Sequence, residues 1–310
     1  MGTVLADLAA VPAPPRIPAP LPARFAATAF VLAIIVLGPF ACGGASPTGA
    51  SASSAGDPPQ PATLRVVSWN VQHGYTPSRQ HVNGQQIEFL AGLNPDVVAF
   101  QEMAEWDNDM PAIYRDGLQS RTGRAWTILY QATLPGAAKA RREGPALATW
   151  LPVSGRAPLA MPDAGAADDL NRNRAAVRFA VTVGGQVVHL ATTQLDYLDG
   201  GNRRAELDRV QRWMAEVGPR VVVAGDFNAE PDDQATWQAW LGEYSDAWLS
   251  EANPLRAQPG WTKMQRSTTG RPARIDYAWY RGLRPASVRL VETDLSDHYA
   301  LVVDFEVGRQ

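Results

Sequence analysis

Cysteine is all but missing from this sequence: the 310 residues contain one, Cys42. The chain downstream of it has no thiol, so its fold cannot rest on disulfides and must come from a buried apolar core, for which about 250 residues are enough. Charge of one sign is scarce in blocks as well. The formal net charge is −3 and no Lys/Arg run occurs, which weakens any reading built on a non-specific electrostatic hold on nucleic acid. There is no internal repeat. With 45% apolar and 19% charged residues, the composition is that of a globular protein rather than a disordered or collagen-like one.

Long apolar runs are lacking too, with one exception at residues 25–40, where FAATAFVLAIIVLGPF is interrupted by Gly38 and Pro39. Roughly 20 apolar residues are needed to span a bilayer, so the run is short for a transmembrane helix and suits the apolar region of a secretory signal. The Pro/Ala-rich stretch before it carries Arg16 and Arg24 and has no amphipathic period. Cys42 follows in FACGGAS, which resembles the lipidation site of a bacterial lipoprotein precursor; Ala41 fits that pattern and Pro39 does not. The alternative is one more small residue in a signal peptide cleaved nearby. Residues 1–42 are therefore expected to be a signal peptide or lipoprotein signal, 43–62 a disordered Gly/Ser/Ala/Pro linker, and 63–310 the folded domain. The expected location is outside the cytoplasm, secreted or held at the envelope through a membrane tether on Cys42.

Within the domain, LRVVSWNV (residues 64–71) reads as a buried strand ending in polar His73 and Gly74. Ile87, Leu90 and Leu93 recur at helical spacing over residues 85–93, and Asn94-Pro95 stops that helix. DVVAFQE, RVVVAGDFN, ARIDYAWY and HYALVVDFEV read as further strands. Residues 178–195 form a hairpin around Gly184-Gly185. A helix over 203–217 turns Leu207, Val210, Met214 and Val217 to one side. Residues 234–249 predict another helical stripe of Trp237, Trp240, Leu241 and Tyr244, its aromatics core rather than a ligand platform. The mixture of hairpins and strand–helix–strand units implies an α+β fold of two packed sheets flanked by helices.

Polar groups recur where the apolar strands end: Asn70, Gln101-Glu102, Gln194 and Asp196, Asp226 and Asn228, Asp276, and Asp297-His298. Taken singly, each has an ordinary explanation. Asn70 and Gly225-Asp226 could be turn residues, Glu102 a helix cap, Asp276 a surface ion-pair partner and His298 a satisfied core histidine. Taken together and in this order, SWNV, FQE, a TxLD variant, GDFN, RIDY and SDH resemble the motif series of the endonuclease/exonuclease/phosphatase (deoxyribonuclease-I-like) superfamily, across residues 64–307.

That resemblance implies a four-layered αββα sandwich with the site at one edge of its two sheets, and a loop holding Trp261-Thr262 near it. It implies Mg²⁺ or Mn²⁺ held by Glu102, with Asn70 and Asp297 beside the metal, since hard cations prefer oxygen ligands. Asp226 would orient or deprotonate the attacking water. Asn228 would donate to a phosphate oxygen, and His298, oriented by Asp276, would meet the phosphate or the water. The expected partner is a phosphate-ester substrate, whether nucleic acid, a phospholipid head group or a small ester, and the expected state is a monomer.

One position departs from the pattern: Thr193-Gln194-Leu195 stands where many members carry Thr-His-Leu. Gln194 can donate to phosphate but cannot act as a proton source. His189 is no substitute, because it precedes Gln194 on the same strand by an odd number of residues and faces the other side. Gln194 also supports the alternative reading of a non-catalytic binding module on the same fold. The compact basic group Lys139, Arg141 and Arg142 reads either as a solvated loop or as a phosphate contact.

Overall fold

The computed structural model describes residues 62–106, 108–134, 142–161, 173–266 and 268–308. The expected signal lies outside these residues, as do Lys139, Arg141 and all of the expected linker but Ala62, which begins the first strand. Among the described residues no helix is long and apolar enough to cross a membrane.

The chain begins with β1 (Ala62–Asn70), α1 (Asn83–Gly92), β2 (Val97–Ala104) and α2 (Met110–Thr122). It continues through β3 (Thr127–Tyr130), β4 (Glu143–Thr149), β5 (Val153–Met161), β6 (Arg174–Val183) and β7 (Gln186–Gln194). Then come α3 (Gly200–Ala215), β8 (Val221–Asp226), the single turn α4 (Gln234–Trp237), β9 (Ser245–Asp246), β10 (Asp276–Arg281), β11 (Arg284–Val291) and β12 (Ala300–Val307). The strands form two six-stranded sheets, ordered β11-β12-β1-β2-β4-β3 and β5-β6-β7-β8-β10-β9.

Strand alternation makes the layers. In β1, Leu64 and Val66 join the core between the sheets, while Val67 and Trp69 face outward with Ile87 and Leu90 of α1 and Tyr114 and Leu118 of α2. In β8, Val222 and Ala224 face the other sheet, while Val221 and Val223 pack with Leu207, Val210 and Met214 of α3. Each sheet is thus apolar on both faces, and each large side chain so buried contributes about 1.5–3 kcal/mol. The result is the αββα sandwich.

Two differences from the sequence reading stand out. Residues 234–249 are not one helix: α4 is four residues long, and isolated 3-10 turns at Trp240–Gly242 and Ala247–Leu249 flank β9. Asp246, inside the stretch, pairs with buried Arg274, and its side chain caps the next turn at the Trp248 N–H. These bonds favour a strand and turns over a continuing helix, yet Trp237 and Trp240 are core as expected. The helix α2 has no counterpart in that reading. Its apolar stripe is only Met110, Tyr114 and Leu118, and Gly117 lets α1 approach so closely that an added Cβ would lie 2.8 Å from Ile87.

Each sheet contains one parallel pair, β1 with β2 and β7 with β8. Parallel neighbours end at the same edge. That register sets Asn70 opposite Gln101 and Gln194 opposite Asp226, and the antiparallel pairing of β10 sets Asp276 opposite Asp226 from the other side. Buried Gln101 of β2 donates to Thr192 Oγ1 of β7 at 2.9 Å, tying the sheets together beneath this edge.

Candidate active site

The backbone leaves regular geometry where the polar groups begin. Glu102 lies in an irregularity of β2 between Phe100 and Met103 and has φ 57°, a left-handed conformation costly for a residue with a Cβ. Asn228, just past β8, has φ 51°. Gly225, ahead of Asp226, passes so near β7 that a Cβ would lie 2.1 Å from Thr193 O, so the glycine of GDFN is required by close approach.

Two carboxamides bridge two carboxylates. Asn70 Nδ2 donates to Glu102 Oε1 at 2.9 Å and to Asp226 Oδ2 at 3.2 Å. Gln194 Nε2 donates to the same two oxygens at 2.8 and 3.3 Å. Asn228 donates its backbone N–H to Asp226 Oδ1 at 3.0 Å and its side-chain amide to Leu195 O at 3.0 Å. Burial pushes the Asp226 carboxyl up and the facing Asp276 adds to this, to about 6. Burial would also raise Glu102, but His73 and Lys263 outweigh it and hold that carboxyl at about 2.

His298 comes from the turn before β12. Its Nδ1 lies 2.8 Å from Asp276 Oδ2, and its Nε2 lies 3.8 Å from Asp226 Oδ2. Burial pulls the ring down and the Asp276 carboxylate more than offsets this, lifting it to about 9. Ser296 fixes this turn: its Oγ donates to Asn70 O at 2.7 Å and accepts the His298 N–H at 3.2 Å. Thr262, whose loop the resemblance placed nearby, accepts the N–H groups of Ile275 and Asp276 on its Oγ1, each at 3.1 Å. Asp226, Asp276 and His298 form a buried group with potential ligand atoms within 4.8 Å of one another.

Asn70, Glu102, Gln194, Asp226, Asn228, Asp276, Asp297 and His298 therefore meet at one edge, as the strand ends implied. The sequence reading missed Lys263 and the His73–Glu143 pair. Lys263 Nζ lies 2.6 Å from Asp297 Oδ2 and 2.8 Å from His298 Nε2. His73 bonds Glu143, lies 3.5 Å from Glu102 Oε2, and packs its ring 4.3 Å from that of Trp106. A pocket of about 430 Å³ opens outward over the site and is lined by Glu102, Gln194, Asp226 and Lys263 together with Trp106, Tyr197 and Arg79. Arg142, from the basic group, ion-pairs with Glu105 at 3.2 Å instead of lining the pocket.

Residues 67–298 match the Endonuclease/Exonuclease/phosphatase family. Among curated proteins nothing matches. The fold is similar to that of an endonuclease/exonuclease/phosphatase from Beutenbergia cavernae DSM 12333, at 21% identity and TM-score 0.61, covering 80% of this chain and 72% of that one. It is similar to humanized D. rerio TDP2 with 14 mutations, at 20% identity, TM-score 0.61 and coverage of 79% and 99%. It is also similar to the mannosyl-6-phosphatase Bt3783 of Bacteroides thetaiotaomicron VPI-5482, at 15% identity, TM-score 0.60 and coverage of 79% and 100%. At these identities the likenesses speak for a shared fold. The family match spans the site from the strand of Asn70 to His298, and the chain belongs to the endonuclease/exonuclease/phosphatase family.

Proposed function

We propose that this domain hydrolyses a phosphodiester or phosphomonoester by in-line attack of water, with Mg²⁺ or Mn²⁺ as cofactor. The family consists of phosphoesterases, nucleases and phosphatases among them. The observation that carries the reading for this chain is the buried Asp276–His298 hydrogen bond beside the amide-bridged Glu102–Asp226 pair, whose two carboxylates line the pocket.

The donor set fits a hard divalent cation. Glu102, Asp226, Asp276 and Asp297 crowd oxygen ligands together, and Asp276 Oδ1 is buried with no hydrogen-bond partner. Glu102 and Asp297, with Asn70 alongside, would hold the ion, which when bound supplies Lewis-acid stabilisation of charge on the phosphate oxygens. Asp226, with its carboxyl near 6, is the stronger base of the two bridged carboxylates and takes a proton from the attacking water. Asp276 fixes the His298 ring by its Nδ1–H and points Nε2 at the reacting phosphate. Asn228 keeps one amide hydrogen for a non-bridging oxygen.

Release of p-nitrophenol from a bis-aryl phosphate, with and without EDTA, tests the reading. Activity should require Mg²⁺ or Mn²⁺, and Glu102→Ala, Asp226→Asn and His298→Ala should each lower it by roughly 10²–10⁴-fold in a folded protein. Undiminished turnover of Glu102→Ala in saturating EDTA would end the metal assignment. Binding of phosphate esters without turnover would favour the binding-module reading. Screening nucleic acid, sphingomyelin, phosphoinositides and sugar phosphates with one preparation selects the substrate class. The apolar run at residues 25–40 and Cys42 support export with processing at or near Cys42; an unprocessed chain by intact mass from its native envelope would refute it.

A further inference from the structure

The roles above leave Lys263 unused. Its backbone is held on both sides of the site loop: Lys263 N donates to Ala273 O at 3.1 Å, Ala273 N donates to Lys263 O at 2.8 Å, and Tyr299 N donates to Thr262 O at 2.7 Å. This short ladder sets Lys263 directly against Asp297 and His298. Its side chain is only 13% exposed and lines the pocket, with Nζ 2.6 Å from Asp297 Oδ2 and 2.8 Å from His298 Nε2. Withdrawing an ammonium from water is costly unless partners replace the lost hydration. Asp297 is itself 29% exposed and could have been neutralised from the surface at lower cost.

Counting donors leads to the same residue. Asn70 and Gln194 each commit both amide hydrogens to Glu102 and Asp226, and Asn228 commits one of its two to Leu195 O. An ammonium has three hydrogens: Asp297 accepts one, and His298 Nε2 at 2.8 Å can accept a second only while the ring is neutral. The third is left to a ligand in the pocket, and it carries full positive charge where the carboxamide at position 194 is neutral.

We infer that Lys263 is a phosphate-binding residue: its ammonium holds a non-bridging oxygen of the substrate phosphate beside His298. The inference rests on the phosphoesterase reading above. No proton or bond changes place in this role; the ammonium stabilises the charge that grows on the phosphoryl oxygens.

The test compares Lys263→Met, which keeps the stem and removes the charge, with Lys263→Arg, which keeps the charge. Inorganic phosphate is titrated calorimetrically into the full chain, with Mg²⁺ and with EDTA, and kcat and KM are measured on an aryl phosphate. Lys263→Met should bind phosphate at least tenfold more weakly in the condition where wild type binds it, and should lose roughly 10²–10³-fold in kcat/KM. Lys263→Arg should recover part of the phosphate affinity. Wild-type phosphate affinity in Lys263→Met, or no phosphate binding by wild type in either condition, would overturn the inference whatever the turnover. If Lys263→Met does not fold, Lys263→Gln is read in the same way. Lys263-dependent phosphate binding with no hydrolysis of any ester would support the inference and sink the phosphoesterase reading, so the two fail separately.

Discussion

Gln194 faces the cluster and gives both amide hydrogens to Glu102 and Asp226, so the departure from the usual histidine has a structural consequence. A neutral imidazole has one N–H and would release one of those carboxylates, but it can carry a proton to a leaving oxygen, as an amide cannot. A positioned general acid contributes roughly 10²–10⁴-fold, most for poor leaving groups. Gln194→His should therefore raise turnover of an alkyl phosphate relative to an aryl phosphate, and add a limb to the pH profile near about 6.5. Equal effects on both esters would show that no acid role is vacant. The cluster was largely legible in the sequence because Glu102, Asp226 and Asp276 each stand at the end or start of an apolar run that fixes where the side chain emerges. Lys263 and His73 carry no such mark. Lys263 sits in a loop with no periodicity, and the Glu143 partner of His73 is 70 residues away, a contact only the folded sheets create.

Strands were the easiest elements to read, since burial on both faces forces continuous apolar runs such as VVVAG in β8. Helices here were harder: the marked tryptophan stripe at 234–249 gave turns, and α2 with its sparse stripe went unread. The helix α3 was read nearly in full, yet its most consequential residue lies on the buried side and is charged in the sequence. Glu206 accepts the Asp196 N–H at 2.8 Å, fastening α3 to the loop that follows Gln194. Burial drives its carboxyl up to about 8 from 4.5, only partly countered by that bond. The fold therefore keeps a proton that the unfolded chain releases, and the stability tied to it is full below pH 4.5 and falls as pH rises to about 8. Glu206→Gln removes the titration while keeping an acceptor for the Asp196 N–H. It should match wild type at pH 4.5 and exceed it at pH 8 by at most about 5 kcal/mol, read from urea unfolding. A constant difference across that range would mean that Glu206 titrates alike in both states.

At the scale of the whole molecule, a chain of net charge −3 concentrates Glu102, Asp226, Asp276 and Asp297 at one edge of a sandwich with an apolar core. Lys263, His73 and His298 offset part of that charge, while burial and the facing Asp276 still push the Asp226 carboxyl up. A divalent cation taken up by the fold and not by the unfolded chain would relieve the remainder and stabilise the domain by mass action. At about a hundredfold excess over Kd this amounts to about 2.7 kcal/mol. A domain of this size gains about 2–4 °C per kcal/mol, so millimolar Mg²⁺ or Mn²⁺ should raise the unfolding midpoint by roughly 5–10 °C over EDTA. Calorimetric scans of the full chain measure the shift, and Glu102→Gln should remove most of it because it takes away a ligand charge at the site. A midpoint that does not respond to either ion would mean that these carboxylates are already balanced by Lys263, His73 and His298. A shift equally large in Glu102→Gln would place the cation elsewhere on the fold.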